Sequence, residues 1–271
     1  MANISFSDLQ HERLNFEVQT CDKLTWPFTC GGTMSNKEFN MDELARAMAP
    51  TDKVLDAFAK EASPSGQHDF AIRIQDIWND FGPSKRYLRN LVRRFIRRIE
   101  AEGQAVEDED LLVLVLKCSQ SSDVFPDPSE SGYQTFRIHG DEADDEPLRV
   151  RVFPQHNDVA LRLWEAGGIL SEYLMKYPHH VSGNAVLDTG AGVGLTGLIA
   201  ARYCGAAKVL MTDYTVESLL NLSHNIIMNE SWLGKAHNSP EVTQVCFRSI
   251  QSTHTWHTSR FSHAAIFHRA S

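Results

Sequence analysis

Two acidic residues and a group of glycines between residues 186 and 213 carry the chemistry that this sequence suggests. Residues 186–197 read VLDTGAGVGLTG, in which Asp188 closes an apolar stretch and is followed by Gly190, Gly192 and Gly194. Glycine permits a sharp turn and lets a ligand approach the backbone closely. A strand, a glycine turn and a helix N-terminus, in that order, are typical of a site for a nucleotide-bearing cofactor.

The same letters contain a second glycine pattern, Gly192 to Gly197, of the kind found in dinucleotide-binding domains. In those domains the first glycine stands at the end of the strand. Gly192 instead lies four residues beyond Asp188, so the register disfavours NAD. It favours S-adenosylmethionine, which has no pyrophosphate and presents a charged α-amino group that suits an acid at the strand tip.

A second carboxylate is expected at the end of the next strand, where it can accept hydrogen bonds from both ribose hydroxyls. Residues 208–213 read KVLMTD and supply this strand with Asp213 at its end. The sequence therefore predicts an S-adenosylmethionine site formed by Asp188, the three glycines and Asp213. The alternative is that Asp188 only caps a helix and Asp213 only ends a strand.

The elements that must position these residues alternate between helix and strand. We predict a helix near 159–176, strands over 185–188, 208–213 and 242–247, and helices over 195–203 and 215–229. Such alternation predicts an α/β fold with a parallel sheet and helices on its faces.

The preceding part of the chain is predicted to be mainly helical. Helical periodicity covers 42–62 with an interruption near Pro50, a segment around 74–81, and the segments 84–103 and 107–120. Ser84 is the expected N-cap of the third helix and Gly103 its stop. Two strands, 133–140 and 148–153, then flank an acidic loop that contains residues 141–146.

The third predicted helix carries seven cations beside its apolar stripe. These cations are Lys85, Arg86, Arg89, Arg93, Arg94, Arg97 and Arg98. They indicate either a docking face for an acidic or RNA-bearing partner or a solvated face whose aliphatic stems cover the edge of the core. The second arrangement is the more common one.

The bulk composition restricts the class of protein. The 271 residues are 42% hydrophobic and 23% charged with a net charge of -9, which disfavours general nucleic-acid binding. No apolar run approaches the roughly 20 residues of a membrane span, and the N-terminus lacks a signal pattern. Five cysteines without a Cys-x-x-Cys pair favour free thiols. We therefore expect an intracellular, cytoplasmic protein without a metal, although the sequence leaves its oligomeric state unknown.

The segment 161–230, which begins LRLWEAGG and contains VLDTGAGVG and VLMTDY, resembles the seven-β-strand lysine methyltransferases that modify non-histone proteins. Within them it is most similar to the elongation factor 2 lysine methyltransferases. The resemblance implies a Rossmann-like fold, S-adenosylmethionine as cofactor, and a lysine of a protein, such as an elongation factor, as substrate. It also implies that Trp164 contacts the cofactor, that Gly190, Ala191 and Gly192 surround its methionine and ribose, and that Asp213 binds the ribose. By residue type alone, Trp164 at the start of an amphipathic helix is more often a core residue.

The sequence departs from that family after the third predicted strand. The family's acidic residue followed three positions later by tyrosine does not occur after Asp213, so no catalytic residue can be named. The Ser-, Thr- and His-rich residues 249–271 do not resemble the family, and their histidines lack the accompanying ligands of a metal site. We predict a truncated or frame-altered product, incomplete at its C-terminus, with exposed apolar sheet surface, marginal stability and weak or absent catalysis.

These interpretations divide the chain into five regions. They are a lead segment of undetermined structure (1–40), a helical region (41–120), an acidic loop with a strand pair (121–157), a partial methyltransferase domain (158–248) and an atypical tail (249–271). Two other functions stay open: a non-catalytic protein-interaction protein that retains a partial cofactor site, and, less favoured, an NAD-linked oxidoreductase.

Overall fold

The computed structural model describes residues 40–58, 63–119, 127–138, 146–234, 236 and 241–246. The predicted tail, nearly all of the predicted lead segment and most of the acidic stretch lie outside the described residues. All structural statements below refer to the described part of the chain.

The first described region is helical, as predicted. Its helices are α1 (Met41–Arg46), α2 (Thr51–Ala57), α3 (Pro64–Asn79), α4 (Lys85–Ala101) and α5 (Glu109–Ser119). The predicted interruption near Pro50 is confirmed, since α1 ends at Arg46 and α2 begins at Thr51. The predicted extent to residue 62 is wrong, because α2 ends at Ala57. The predicted limits of α4 are confirmed, since the Ser84 hydroxyl accepts a hydrogen bond from Tyr87 N at 3.3 Å and Gly103 has a φ of 70°.

Three aromatic rings form the centre of this helical region. Phe70 and Phe95 are stacked with ring centroids 3.9 Å apart, and Phe58 meets both rings edge-on. Such pairs stabilise a core beyond the burial of their area. The helical region therefore has its own closed apolar core.

Cations of α4 contact other parts of the chain. Arg89 is buried with its Nη2 3.9 Å from Glu130 Oε2, Arg94 pairs with Asp52, and Arg98 Nη1 donates to the Leu55 carbonyl at 2.9 Å. For Arg89, Arg94 and Arg98, these contacts favour a role within the fold over a docking face for a partner.

The second described region has the predicted alternation of strands and helices. It contains β1 (Gly132–Phe136), β2 (Leu148–Val152), α6 (Glu165–Lys176), β3 (Ala185–Thr189), α7 (Leu195–Tyr203), β4 (Lys208–Asp213), α8 (Val216–Met228), α9 (Glu230–Gly234) and β5 (Glu241–Cys246). β1 and β2 pair antiparallel, whereas β3, β4 and β5 form a parallel sheet in that order. The predicted α/β class is confirmed.

The helix predicted from 159 to 176 is wrong in its first part. Asp158 caps a short 3-10 turn, Val159–Leu161, and the backbone then becomes extended at Arg162 and Trp164 before α6 begins at Glu165. The Arg162 guanidinium donates twice to the His156 carbonyl, at 3.1 and 2.7 Å, which holds the chain out of helical geometry.

The two faces of the parallel sheet differ. On one face, α7 approaches β4 so closely that a Cβ at Gly197 would lie 2.4 Å from Met211 Sδ, and Val209 and Met211 are fully buried. On the other face, β3 exposes alternate residues, including Leu187 at 57% exposure. The expected exposed apolar sheet surface is thus present at β3.

An amide ladder on α8 joins the two sheets. Asn221, Asn225 and Asn229 lie one turn apart and are almost completely buried. Asn225 Oδ1 accepts from Arg151 N at 2.8 Å, Asn229 Oδ1 accepts from Arg149 N at 3.0 Å, and the amide NH2 groups donate to the carbonyls of the same strand. Helix side chains therefore satisfy the free edge of β2.

Candidate cofactor site

The glycine loop begins directly after β3, where the sequence places it. Gly190, Gly192 and Gly194 have φ values of 71°, 55° and 87°. These values lie in the left-handed region that residues with a Cβ rarely adopt. The backbone at the end of β3 therefore requires glycine at all three positions.

The loop glycines face different surroundings. A Cβ at Gly190 would meet no atom within 4 Å, whereas one at Gly192 would lie 3.2 Å from the Ala160 carbonyl oxygen. A Cβ at Gly194 would lie 2.5 Å from Leu222 Cδ1. Gly190 is thus the loop position whose Cα faces open space, while Gly192 and Gly194 allow close packing.

Asp213 anchors the loop to the end of β4. Its carboxylate is buried; Oδ2 accepts a hydrogen bond from Gly192 N at 2.8 Å and Oδ1 accepts from Tyr214 N at 2.7 Å. The neighbouring Thr212 carbonyl accepts from Ala191 N at 2.9 Å. Asp213 therefore does more than end a strand, and each of its oxygens keeps a lone pair for a further donor.

Asp188 points toward the N-terminus of α7. Burial raises the pKa of its carboxyl group, the backbone N–H of Gly197 lowers it by hydrogen bonding, and the nearby charge of Asp213 raises it. Its Oδ2 is buried without a hydrogen-bond partner among the described residues. Asp188 thus has the capping contact of the alternative interpretation and, in addition, a buried oxygen whose hydrogen-bonding capacity the described chain leaves unsatisfied.

Trp164 lies at the N-cap position of α6 and is 54% exposed. Its indole Nε1 donates to the Val159 carbonyl at 2.8 Å. A core role is therefore wrong for this residue. Next to Asp213, the Tyr214 side chain is 70% exposed, whereas Cys204 is buried in the core.

Two polar residues near the site were missed by sequence reasoning. Asp158 Oδ2 accepts a hydrogen bond from Thr215 Oγ1 at 2.5 Å, although the residues lie 57 positions apart. Each also caps a turn or helix: Asp158 accepts from Ala160 N and Thr215 from Ser218 N. Their residue types at the start of helical segments are the signal that could have identified them.

One group of side chains elsewhere has the composition of a metal site. His68, Asp108 and Asp110 hold their ligand atoms within 4.8 Å of one another. However, His68 Nδ1 is already 3.2 and 3.1 Å from the two carboxylates, and Asp108 Oδ1 caps α5 through Leu111 N. These contacts account for the group without an ion.

Comparison with known proteins finds a family match for the region that contains the candidate site. Residues 143–245 match the family described as lysine methyltransferase. This segment contains every predicted site residue, so the resemblance stated from the sequence is confirmed at the level of this family.

Particular relatives match over short segments. The chain is 38% identical over 82 residues to the protein N-terminal and lysine N-methyltransferase efm7 of Schizosaccharomyces pombe, covering 30% of this chain and 32% of that protein. It is 40% identical over 88 residues to the histone-arginine methyltransferase METTL23 of Rattus norvegicus (31% and 38%). It is 38% identical over 65 residues to the human electron transfer flavoprotein beta subunit lysine methyltransferase (24% of each). The chain thus spans well under half the length of each of these relatives.

No helix within the described ranges is both long enough and apolar enough to cross a membrane.

Proposed function

We propose that this chain binds S-adenosylmethionine where β3 and β4 end and serves protein-lysine N-methylation. The observation that carries the proposal is the Gly190 turn, which follows β3 directly, has a left-handed backbone and faces open space. Two carboxylates, Asp188 and Asp213, are close enough for one to raise the pKa of the other. The match to the lysine methyltransferase family supports the same cofactor.

Each site residue has a defined task in this proposal. The orphaned Asp188 oxygen accepts from the α-amino group, Gly190 and Ala191 let the methionine and ribose lie against the backbone, and Asp213 accepts from the ribose hydroxyls. Trp164 covers the cofactor from the start of α6, and Gly194 allows α7 to begin beneath the loop. When bound, S-adenosylmethionine supplies a methyl group already activated by its sulfonium.

The chain itself contributes alignment and shielding from water. Holding donor and acceptor in a reactive geometry lowers the barrier by removing the entropy cost of their encounter. The acceptor lysine must be neutral to attack, which an apolar surrounding favours by lowering its pKa. No residue is assigned as a catalytic base in the described part of the chain.

The identity of the methyl acceptor is a more specific proposal than the identity of the cofactor. The relatives' names give different acceptors: protein N-termini and lysine, histone arginine, and lysine of a flavoprotein subunit. These relatives have different acceptors but all match this chain over a short segment. We therefore attribute the similarity to binding of a shared cofactor and not to recognition of a shared acceptor. The family description favours lysine, and the sequence resemblance favours a cytoplasmic translation elongation factor, such as elongation factor 2.

Calorimetric titration of the full chain with S-adenosylhomocysteine tests the cofactor proposal. We expect binding at one site, and we expect Asp213→Asn to weaken it at least tenfold, because a charge-assisted hydrogen bond is lost. The matched control is Asp56→Asn, which makes the same chemical change on an exposed position of α2. Wild-type affinity for NADH without affinity for S-adenosylhomocysteine would overturn the proposal in favour of an oxidoreductase.

Incubation with S-adenosylmethionine and elongation factor 2, followed by peptide mass spectrometry, tests the acceptor. We expect methylation of a lysine that is absent with Asp213→Asn. Cofactor binding without methyl transfer to any supplied protein would favour the non-catalytic interaction protein.

A further inference from the structure

We propose that the hydrogen bond between Asp158 and Thr215 positions the indole of Trp164 over the cofactor site, so that these two residues act as a positioning pair. The role of Trp164 in cofactor binding rests on the proposed function. The hydrogen bonds that orient the indole do not, because they join residues of the chain itself.

The first step is the link from Trp164 to the short 3-10 turn, Val159–Leu161. The indole is more than half exposed, so packing alone fixes its orientation weakly. Its Nε1 donates to the Val159 carbonyl at 2.8 Å, and the orientation of the ring therefore follows the position of that carbonyl. The turn also touches the glycine loop, since the Ala160 carbonyl lies next to Gly192.

The second step is the link from this turn to the end of β4. Asp158 Oδ1 accepts from Ala160 N at 2.9 Å and fixes the turn, while Oδ2 accepts from Thr215 Oγ1. A threonine hydroxyl has a single hydrogen. Because Thr215 donates it to Asp158, its oxygen remains an acceptor for Ser218 N at 3.0 Å, and both hydrogen bonds are satisfied together.

The third step is the position of Thr215 in the site. It follows Asp213 by two residues and begins α8. The helix dipole favours the negative charge of Asp158 at this end. The Thr215–Asp158, Asp158–Ala160 and Trp164–Val159 hydrogen bonds, joined by short backbone segments, therefore connect the strand end that holds the predicted ribose acid to the indole. The two sides of the site are fixed relative to each other through Asp158 and Thr215.

Three substitutions at Thr215 separate this role from helix capping. Thr215→Ser keeps both the cap and the donor. Thr215→Asp keeps a good N-cap but removes the donor and places a second carboxylate against Asp158. Thr215→Val removes both. Thermal unfolding of each variant of the full chain reports whether α8 and the fold are intact.

The ligand-free readout is the fluorescence anisotropy decay of Trp164, obtained as the difference between each protein and its Trp164→Phe counterpart. We expect a larger fast component in Thr215→Asp and an unchanged decay in Thr215→Ser. An unchanged decay in Thr215→Asp would overturn the positioning role, whether or not the chain binds a cofactor.

The second readout is calorimetric affinity for S-adenosylhomocysteine. We expect Thr215→Asp to weaken binding about fivefold, the effect of one lost hydrogen bond, and to cause no further loss when Trp164 is already phenylalanine. Equal losses with and without Trp164 would overturn the coupling. A changed anisotropy decay with no binding by the wild type would contradict the proposed function and leave the Trp164 link supported.

Discussion

β3 and β4 lie side by side in one parallel sheet and each ends in or beside an acid of the candidate site, but their surroundings differ. β4 lies between two strands, and its Met211 is fully buried against α7. β3 has one partner strand among the described residues, and Leu187, which pairs in register with Leu210, is 57% exposed. The two halves of the site are therefore supported unequally.

This difference separates anchoring from ligand recognition. Asp213, on β4, has both carboxylate oxygens bonded to backbone N–H groups. Asp188, on β3, keeps one buried oxygen without a partner in the described part of the chain. The well-packed strand fixes the loop, and the less supported strand carries the group that a ligand would satisfy.

The largest expected effect is the difference in the free energy of unfolding between Met211→Ala and Leu187→Ala. Met211→Ala should lower the free energy of unfolding by about 2–5 kcal/mol, because it leaves a cavity in a closed core. Leu187→Ala should change it by about 0.5 kcal/mol or less, because the side chain is largely in water. Urea unfolding followed by circular dichroism measures both. Equal losses would show that the exposed face of β3 is covered in solution.

A smaller effect is expected from Gly197→Ala. The added methyl group meets Met211 Sδ and Cγ in the buried layer between α7 and β4, and overpacking of this kind costs about 1–3 kcal/mol. In a Met211→Ala background the space is vacant, so a double-mutant cycle should show coupling between the two substitutions. Gly190→Ala is the control: its cost arises from the left-handed backbone and should be the same in both backgrounds. Additive effects of Gly197→Ala and Met211→Ala would contradict the close approach of α7.

The smallest expected effect is the pH dependence of Asp188. Burial, the leading influence, raises the pKa of its carboxyl group, so the folded state binds this proton more tightly than the unfolded state. The group favours folding below its unfolded pKa of about 3.9, and this contribution is lost as the pH rises through the raised pKa. Asp188→Asn should therefore gain stability relative to wild type between pH 4 and pH 7 in urea unfolding.

Asp127 provides a control of opposite sign. Hydrogen bonds from the hydroxyl and N–H of Ser129 lower the pKa of Asp127. A lowered pKa stabilises the folded state above the unfolded value, and this contribution is lost as the pH falls. Asp127→Asn should thus lose stability relative to wild type as the pH rises. The same sign for both variants would contradict the assignment of their surroundings.

Local sequence patterns were sufficient for the framework of the site. The apolar stretch before Asp188, the glycine spacing and the strand ending at Asp213 predict the order strand, turn, helix and strand, and the structure has it, with α7 at the predicted residues. Each of these signals depends on neighbours within a few positions. They determine the backbone conformation directly, which is why they can be read from one sequence.

The contacts that orient the site depend on residues far apart in the chain. Asp158 meets Thr215 and Asn225 meets Arg151 only because the helices and strands are packed together. No periodic pattern marks such pairs, although Asp158 and Thr215 are residue types that commonly cap helices. The break at Arg162 was missed for a different reason: its side chain bonds the nearby His156 carbonyl, a contact that helical periodicity does not reveal.

The amide ladder of α8 also bears on the chemical ageing of this protein. Asn225 and Asn229 each accept a hydrogen bond from a backbone N–H of β2 and donate one to a backbone carbonyl of the same strand. Deamidation of Asn225 would replace the NH2 donor with a carboxylate oxygen, which would face the carbonyls of Arg151 and Val193 as acceptor against acceptor. Replacement of one nitrogen atom by oxygen would thus turn an attractive contact between the two sheets into a repulsive one.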